Sequence, residues 1–130
     1  MIVGLPELKL HLRVDESPEY TVEDALIRAY ASAAETMVKN WIGRPFYAEA
    51  ADLPAIGAPE YDADQMVADD AIRVAVKMMT ERFYQNRGGE GGAAEDAVPP
   101  ASVRALLAGH RIFARVPASQ LQLRTGPLLP

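Results

Sequence analysis

Few side chains in this 130-residue chain are of types that do chemistry, and their spacing limits what they can do. There are two histidines, His11 and His110, and no cysteine, so disulfides, thiolate nucleophiles and zinc–cysteine sites are excluded. His11 and Asp15 stand one helical turn apart, which suits two ligands of a metal, but no third ligand follows and a catalytic site needs at least three. Asp62, Asp64, Asp69 and Asp70 form an acidic cluster. It lacks the glycine and the closing glutamate of a calcium loop, and negative charge at a helix start accounts for it better. Ser17, Ser32, Ser102 and Ser119 lie in no nucleophile elbow and no Ser-x-x-Lys setting. The GGEGG run from residue 88 shares only its glycines with a phosphate loop, having no Lys-Ser/Thr pair and no strand before it. The sequence therefore predicts no enzyme, no cofactor and no metal centre.

Charge narrows the partners. Thirteen basic residues stand against eighteen acidic ones, a formal charge of −5, without the clustered Lys and Arg of a nucleic-acid surface. An acidic protein still suits a place beside DNA to which it must not adhere. No apolar run approaches the roughly 18 residues of a membrane span. The opening MIVGLPELKL lacks the basic start and cleavage site of a signal peptide. The expectation is one soluble, intracellular domain long enough to bury a modest core.

The element that must organise such a domain runs from Thr21 to Gly43. Val22, Leu26, Ala29, Tyr30, Ala33, Met37 and Trp41 recur at helical spacing and read as its core stripe, with Glu23, Arg28, Ser32, Glu35 and Lys39 opposite. Thr21 and Asp24 approximate a capping box, while Gly43 and Pro45 mark the end. Before it, residues 4–13 read as a short helix entered through Pro6, with Leu5, Leu8 and Leu12 inward. Residues 44–64 lose the period and read as an irregular excursion, with an extended piece near residues 46–48. A second long helix is expected over residues 65–86, its core stripe Ile72, Ala75, Val76, Met79 and Phe83. Residues 88–98 read as a flexible linker and residues 101–109 as a short helix packing through Val103, Leu106 and Leu107. Residues 110–116 alternate like a brief extended piece, and residues 117–130 form a leucine- and proline-rich tail that cannot build a core alone. The predicted fold class is all-α: two long antiparallel helices and two short ones, with an irregular loop and an extended C-terminal tail. Phe46 and Tyr47 admit two readings, a plug for the end of the helix pair or anchors for a neighbouring subunit.

The order of these parts resembles the head–tail connector proteins of tailed phages, also called head-completion or DNA-packaging adaptors. The resemblance rests on the helix carrying Leu8, Lys9, Leu12, Arg13, Val14 and Asp15, the acidic turn after it, and the long alanine-rich helix ending in Gly43 and Arg44. It continues in the variable loop, the second long helix closing on Tyr84, Asn86 and Arg87, and the proline-opened helix from Pro100 to Leu107. Gly109, His110 and Arg111 depart from the family's Pro-Tyr-Arg type of ending. The resemblance implies a helical connector domain over residues 1–112 and a tail over residues 113–130. It also implies a homo-oligomeric ring of about twelve or thirteen copies below the portal protein and above the tail or stopper protein. DNA would pass through its lumen without sequence-specific binding. Such a protein is made in the host bacterial cytoplasm and ends in the virion neck, with no membrane partner.

On that reading Arg28, Glu35, Lys39, Lys77, Glu81 and Arg82 are candidates for pairing across subunits because they are expected to be exposed, and Phe46 and Tyr47 join them as candidate interface aromatics. Leu121, Leu123, Arg124, Leu128 and Leu129 are candidates for docking the tail on the portal. Two other classes remain open: a small helical regulatory or DNA-binding module, and an obligate dimeric helical bundle. Mixed charge on the long helices counts against a recognition helix.

Overall fold

The computed structural model describes residues 1–88 and 99–113. Their order is α1 (Leu5–Leu12), α2 (Asp24–Ile42), β1 (Phe46–Tyr47), a single 3₁₀ turn (Ala50–Asp52), β2 (Met66–Val67), α3 (Asp70–Gln85) and α4 (Ala101–Leu107). Four helices make the fold helix-rich, as the periodicity predicts. The two strands amend the all-α expectation. β1 and β2 pair in parallel, Phe46 opposite Met66 and Tyr47 opposite Val67, so the excursion after α2 begins and ends on one small ladder.

α2 and α3 share the largest contact, and α4 lies against α3. Ile72, Ala75, Val76 and Met79 of α3 are buried, as their spacing predicts, while Phe83 is only half-buried, tilted against Tyr30 at 6.4 Å. Val103 and Leu107 are the buried residues of α4. The stripe expected on α2 is corrected. Ile27, Ala31, Ala34, Val38 and Ile42 face the core, each one position after a member of the expected row, a rotation of about 100°. Val22 is 84% exposed, Ala29 and Ala33 are exposed, and Leu26, Tyr30, Met37 and Trp41 are half-buried. The buried row combines the β-branched Ile27, Val38 and Ile42 with the small Ala31 and Ala34, while the bulkier Leu26, Tyr30, Met37 and Trp41 lie half-buried along its edge.

The helix ends differ from their sequence reading in informative ways. No side chain caps α2; the Thr21 carbonyl accepts from the Asp24 N–H at 3.2 Å, and the Asp24 carboxylate is drawn instead to Lys9. α3 starts at Asp70, later than expected, because residues 66–67 are taken by the ladder and Asp69 caps the helix, accepting from the Ile72 N–H at 3.0 Å. Gly43 ends α2 in the left-handed conformation (φ 75°), as expected. A Cβ there would also meet the Ile112 carbonyl oxygen at 2.5 Å, because the segment after α4 returns to this point and the Ile112 N–H donates to the Ile42 carbonyl at 2.6 Å. Residues 110–112 are thereby fastened to the bundle without forming a strand. The linker expected at 88–98 falls almost wholly outside the described residues, the extended piece at 110–116 is described only as far as residue 113, and the tail over 117–130 falls wholly outside.

Three polar ties hold the helices in register. Lys9, buried on α1, places its ammonium 2.7 Å from the Asp24 carboxylate and donates to the Tyr20 carbonyl at 2.6 Å. The contact with Asp24 is an ion pair and not a well-aligned hydrogen bond. Glu23, beside it, accepts from the hydroxyls of Tyr84 (2.7 Å) and Tyr20 (3.2 Å) and pairs with Arg87 at 3.2 Å. The Tyr84 bond, ahead of slight desolvation and the other partners, holds the Glu23 carboxyl below its usual range, and Glu23 in turn pushes both tyrosines up. Tyr84 and Arg87, the end of α3, thus grip the start of α2. At the other end His110 sits 2.6 Å from Asp69, tying the turn after α4 to the cap of α3.

Two outcomes follow for stability. Lys9→Ala leaves the Asp24 carboxylate partly buried without its cation and should cost about 3 kcal/mol in urea unfolding, whereas the pair Lys9→Met with Asp24→Leu should recover most of that loss. Asp69→Ala should cost about 1 kcal/mol through the lost cap. Partial burial works against ionisation of Asp69, but the Ile72 N–H and the His110 ring outweigh it, so its folded pKa lies below the unfolded one. Its contribution is therefore present above about pH 4 and lost as pH falls through the folded value, so the wild type and Asp69→Ala should draw together in stability as the solution is acidified below about pH 4.

Candidate assembly surface

Of the residues expected to pair across subunits, most are used within this one. Glu35 accepts from the Ile2 N–H at 3.3 Å and pairs with Lys39 at 3.4 Å, which fixes the buried N-terminal residues Ile2 and Val3 against α2. The sequence reading left Ile2 and Val3 out of the core; two apolar residues ahead of a helix carry no periodicity to reveal them. Lys39 also lies over the Phe46 ring, 5.0 Å from its centroid. Phe46 is 1% exposed, plugging the end of the core, and Tyr47 is half-buried in the ladder. On α3, Lys77 meets Glu7 at 3.1 Å and Glu81 meets His11 at 3.0 Å, because α1 lies against this side of the helix. Arg82 is half-buried and already engaged. Arg28 alone of the eight is exposed with no partner among the described residues. Leu121, Leu123, Arg124, Leu128 and Leu129 lie outside the described residues.

What remains open on the subunit is the face of α2 that the sequence reading assigned to the core. Ala29, Ser32, Ala33, Thr36, Met37 and Asn40 line a shallow groove of about 620 Å³ along it. The groove continues at one end into a smaller concavity bounded by Lys39, Gly43, Arg44 and Pro45, and at the other into one floored by Tyr30 and Phe83 with Arg87 at its rim. Beside its buried row α2 therefore carries a groove of small, uncharged side chains that the described residues leave open. A helix with apolar residues beyond its buried stripe has a second face to bury. Ala29, Ala33 and Met37 belong to the row assigned to the core from spacing, while Ser32, Thr36 and Asn40 are polar, so spacing alone does not single the groove out.

The end of this surface is braced. Arg111 stacks between the rings of Trp41 (3.8 Å to the centroid) and Phe113 (4.7 Å), and its Nε donates to the Trp41 carbonyl at 3.2 Å. Phe113, although stacked, is 73% exposed. Among the described residues no three His, Asp or Glu side chains gather as a metal site, and no helix is long and apolar enough to cross a membrane.

Comparison with known proteins agrees with the order of parts. No curated protein and no solved structure matches the chain. The family described as phage gp6-like head-tail connector protein matches residues 3–106, from the buried N-terminus into α4. That match takes in Lys9, Asp24, Glu23, Tyr84 and Arg87, the residues that set the helices in register. With four-fifths of its length covered, the chain belongs to the phage gp6-like head-tail connector family and is a structural protein of the virion.

Proposed function

We propose that the chain is the repeating subunit of a closed ring of about twelve or thirteen copies at the head–tail junction, giving DNA a channel from the portal to the tail. The observation that carries this reading is the uncovered apolar face of α2 on a member of a connector family. A ring requires each subunit to offer one surface to the neighbour on one side and a different surface to the other. Of the candidate subunit-interface residues, Arg28 is exposed with no partner among the described residues and is available to pair across the boundary; Lys77, Glu81, Glu35 and Lys39 would have to exchange partners to do so. An antiparallel pairing of α2 with α3, supported by the grip of Tyr84 and Arg87 on Glu23, makes a rigid wedge suited to such stacking. Residues 1–112 would form the ring domain and residues 113–130 the tail that docks on the portal through Leu121, Leu123, Arg124, Leu128 and Leu129. A net charge of −5 on each copy suits a lumen through which DNA slides without adhering.

Native mass spectrometry over a range of concentrations tests the ring. The expected result is a closed species of about twelve or thirteen subunits, while a fixed dimer or a monomer at every concentration overturns self-assembly into a ring. The tail is tested separately. Deleting residues 117–130 should leave helicity and thermal unfolding unchanged and abolish binding to the portal; unchanged portal binding rejects the docking role.

A further inference from the structure

Resting on the ring reading, we infer that the open groove of α2 receives the tip of the residue 48–64 excursion of the adjacent copy, with Ile56 as the side chain seated in it. Ile56 is 86% exposed, the most exposed large apolar side chain among the described residues, and it stands at the apex of a built turn. The Ala55 carbonyl accepts from the Ala58 N–H at 2.9 Å, and Gly57 has φ 93°, as the third residue of a type II turn requires. A Cβ on Gly57 would meet nothing within 4 Å, so the tip stands clear of its own subunit.

The tip is held out from below. The Arg44 guanidinium donates to the Asp64 carbonyl at 2.6 Å, Gln65 donates to the Pro54 carbonyl at 2.9 Å, and Arg73 reaches the Ala48 carbonyl at 3.3 Å. With the parallel ladder closing its base, the excursion is ordered before it meets anything, so little conformational freedom is lost on docking. The groove is a fitting receiver, because its lining by the short side chains of Ala29, Ser32, Ala33 and Thr36 leaves a concavity in which a branched side chain can seat beside Met37.

Charge selects the same pairing. From Pro45 to Ile72 the chain has no Lys or Arg, while Glu49, Asp52, Glu60, Asp62 and Asp64 all lie within the excursion. The open face of α2 carries Arg28, unpartnered among the described residues, on its flank and leads to Lys39 and Arg44 at its end; Glu35 is turned to the Ile2 N–H and Lys39, and Glu23 to Tyr84, Tyr20 and Arg87. An acidic tip from one copy and a basic-flanked groove on the next are two different surfaces of one chain, which gives the head-to-tail contact that closes a ring and not the self-matched contact of a dimer.

The chain has no cysteine, so a double variant carrying Ile56→Cys and Ala33→Cys, both at exposed positions, reports the contact directly. Treated with a short bis-maleimide, it should give a ladder of covalent oligomers extending to the closed ring, whereas either single variant should give none. Separately, the otherwise unchanged protein bearing Ile56→Asp should need an assembly concentration raised about tenfold or more, with unchanged circular dichroism. Rings that form in native mass spectra without the ladder overturn the inference and leave the ring reading standing. Covalent dimers alone overturn it in favour of a two-fold contact, and a chain that never associates overturns both.

Discussion

The arrangement of this subunit depends on one buried ammonium. Lys9 is carried into the junction between α1 and the turn before α2, where Asp24 and the Tyr20 carbonyl replace its water. A charge in that position has few alternative partners, so it fixes both the crossing of α1 over the bundle and the residue at which α2 begins. The Tyr20 ring, 5.9 Å from the same ammonium, adds its face to the site. Glu23 is one residue from Asp24, and through it the setting passes to Tyr84 and Arg87 at the far end of α3. Three helices are thus indexed to one another by neighbouring carboxylates, while the apolar core supplies the bulk of the stability without specifying a register.

This accounts for which parts of the molecule were legible in the sequence. Most of the buried residues of α3 and α4 follow from spacing, although Thr80 is buried while Phe83 and Leu106 are only half-buried. On α2, periodicity identified the helix and its glycine stop but chose the neighbouring row, because apolar residues stand in both and only the packing of the other elements separates Ile27, Ala31, Ala34, Val38 and Ile42 from Leu26, Tyr30, Ala33, Met37 and Trp41. The parallel pairing of two-residue strands across eighteen residues was invisible because neither strand is long enough to alternate. The burial of Lys9 has no local signal in the sequence, since nothing nearby announces that a cation is destined for the interior. Its partners come from a separate element, and the same holds for Lys77 and Glu81, whose exposure was overestimated because α1 was not known to lie across them.

The surface available for assembly is accordingly different in kind from the one that charge alone pointed to. Ion pairs on α3 close within the subunit, and pairs of that exposure contribute little to association. The open face of α2 is broad, mostly uncharged and lined by small side chains, and such a face associates by removing apolar surface from water. Phe46, a candidate anchor by type, is committed to the core, where it closes the end of the bundle under Lys39.

The two-residue ladder has a consequence for how such a protein diversifies. It brings the ends of the excursion together beside the end of α2, so the segment between them hangs on the bundle as a closed loop. Closing a loop costs entropy only logarithmically in its length, about 0.6 kcal/mol for each doubling. The excursion can therefore be lengthened, shortened or recomposed at small thermodynamic penalty, while the register set by Lys9, Glu23 and Tyr84 is left intact. Architectural stability is thus written outside the excursion, and on the docking proposed for Ile56 the surface offered to a neighbour can be rewritten without disturbing the register of the helices.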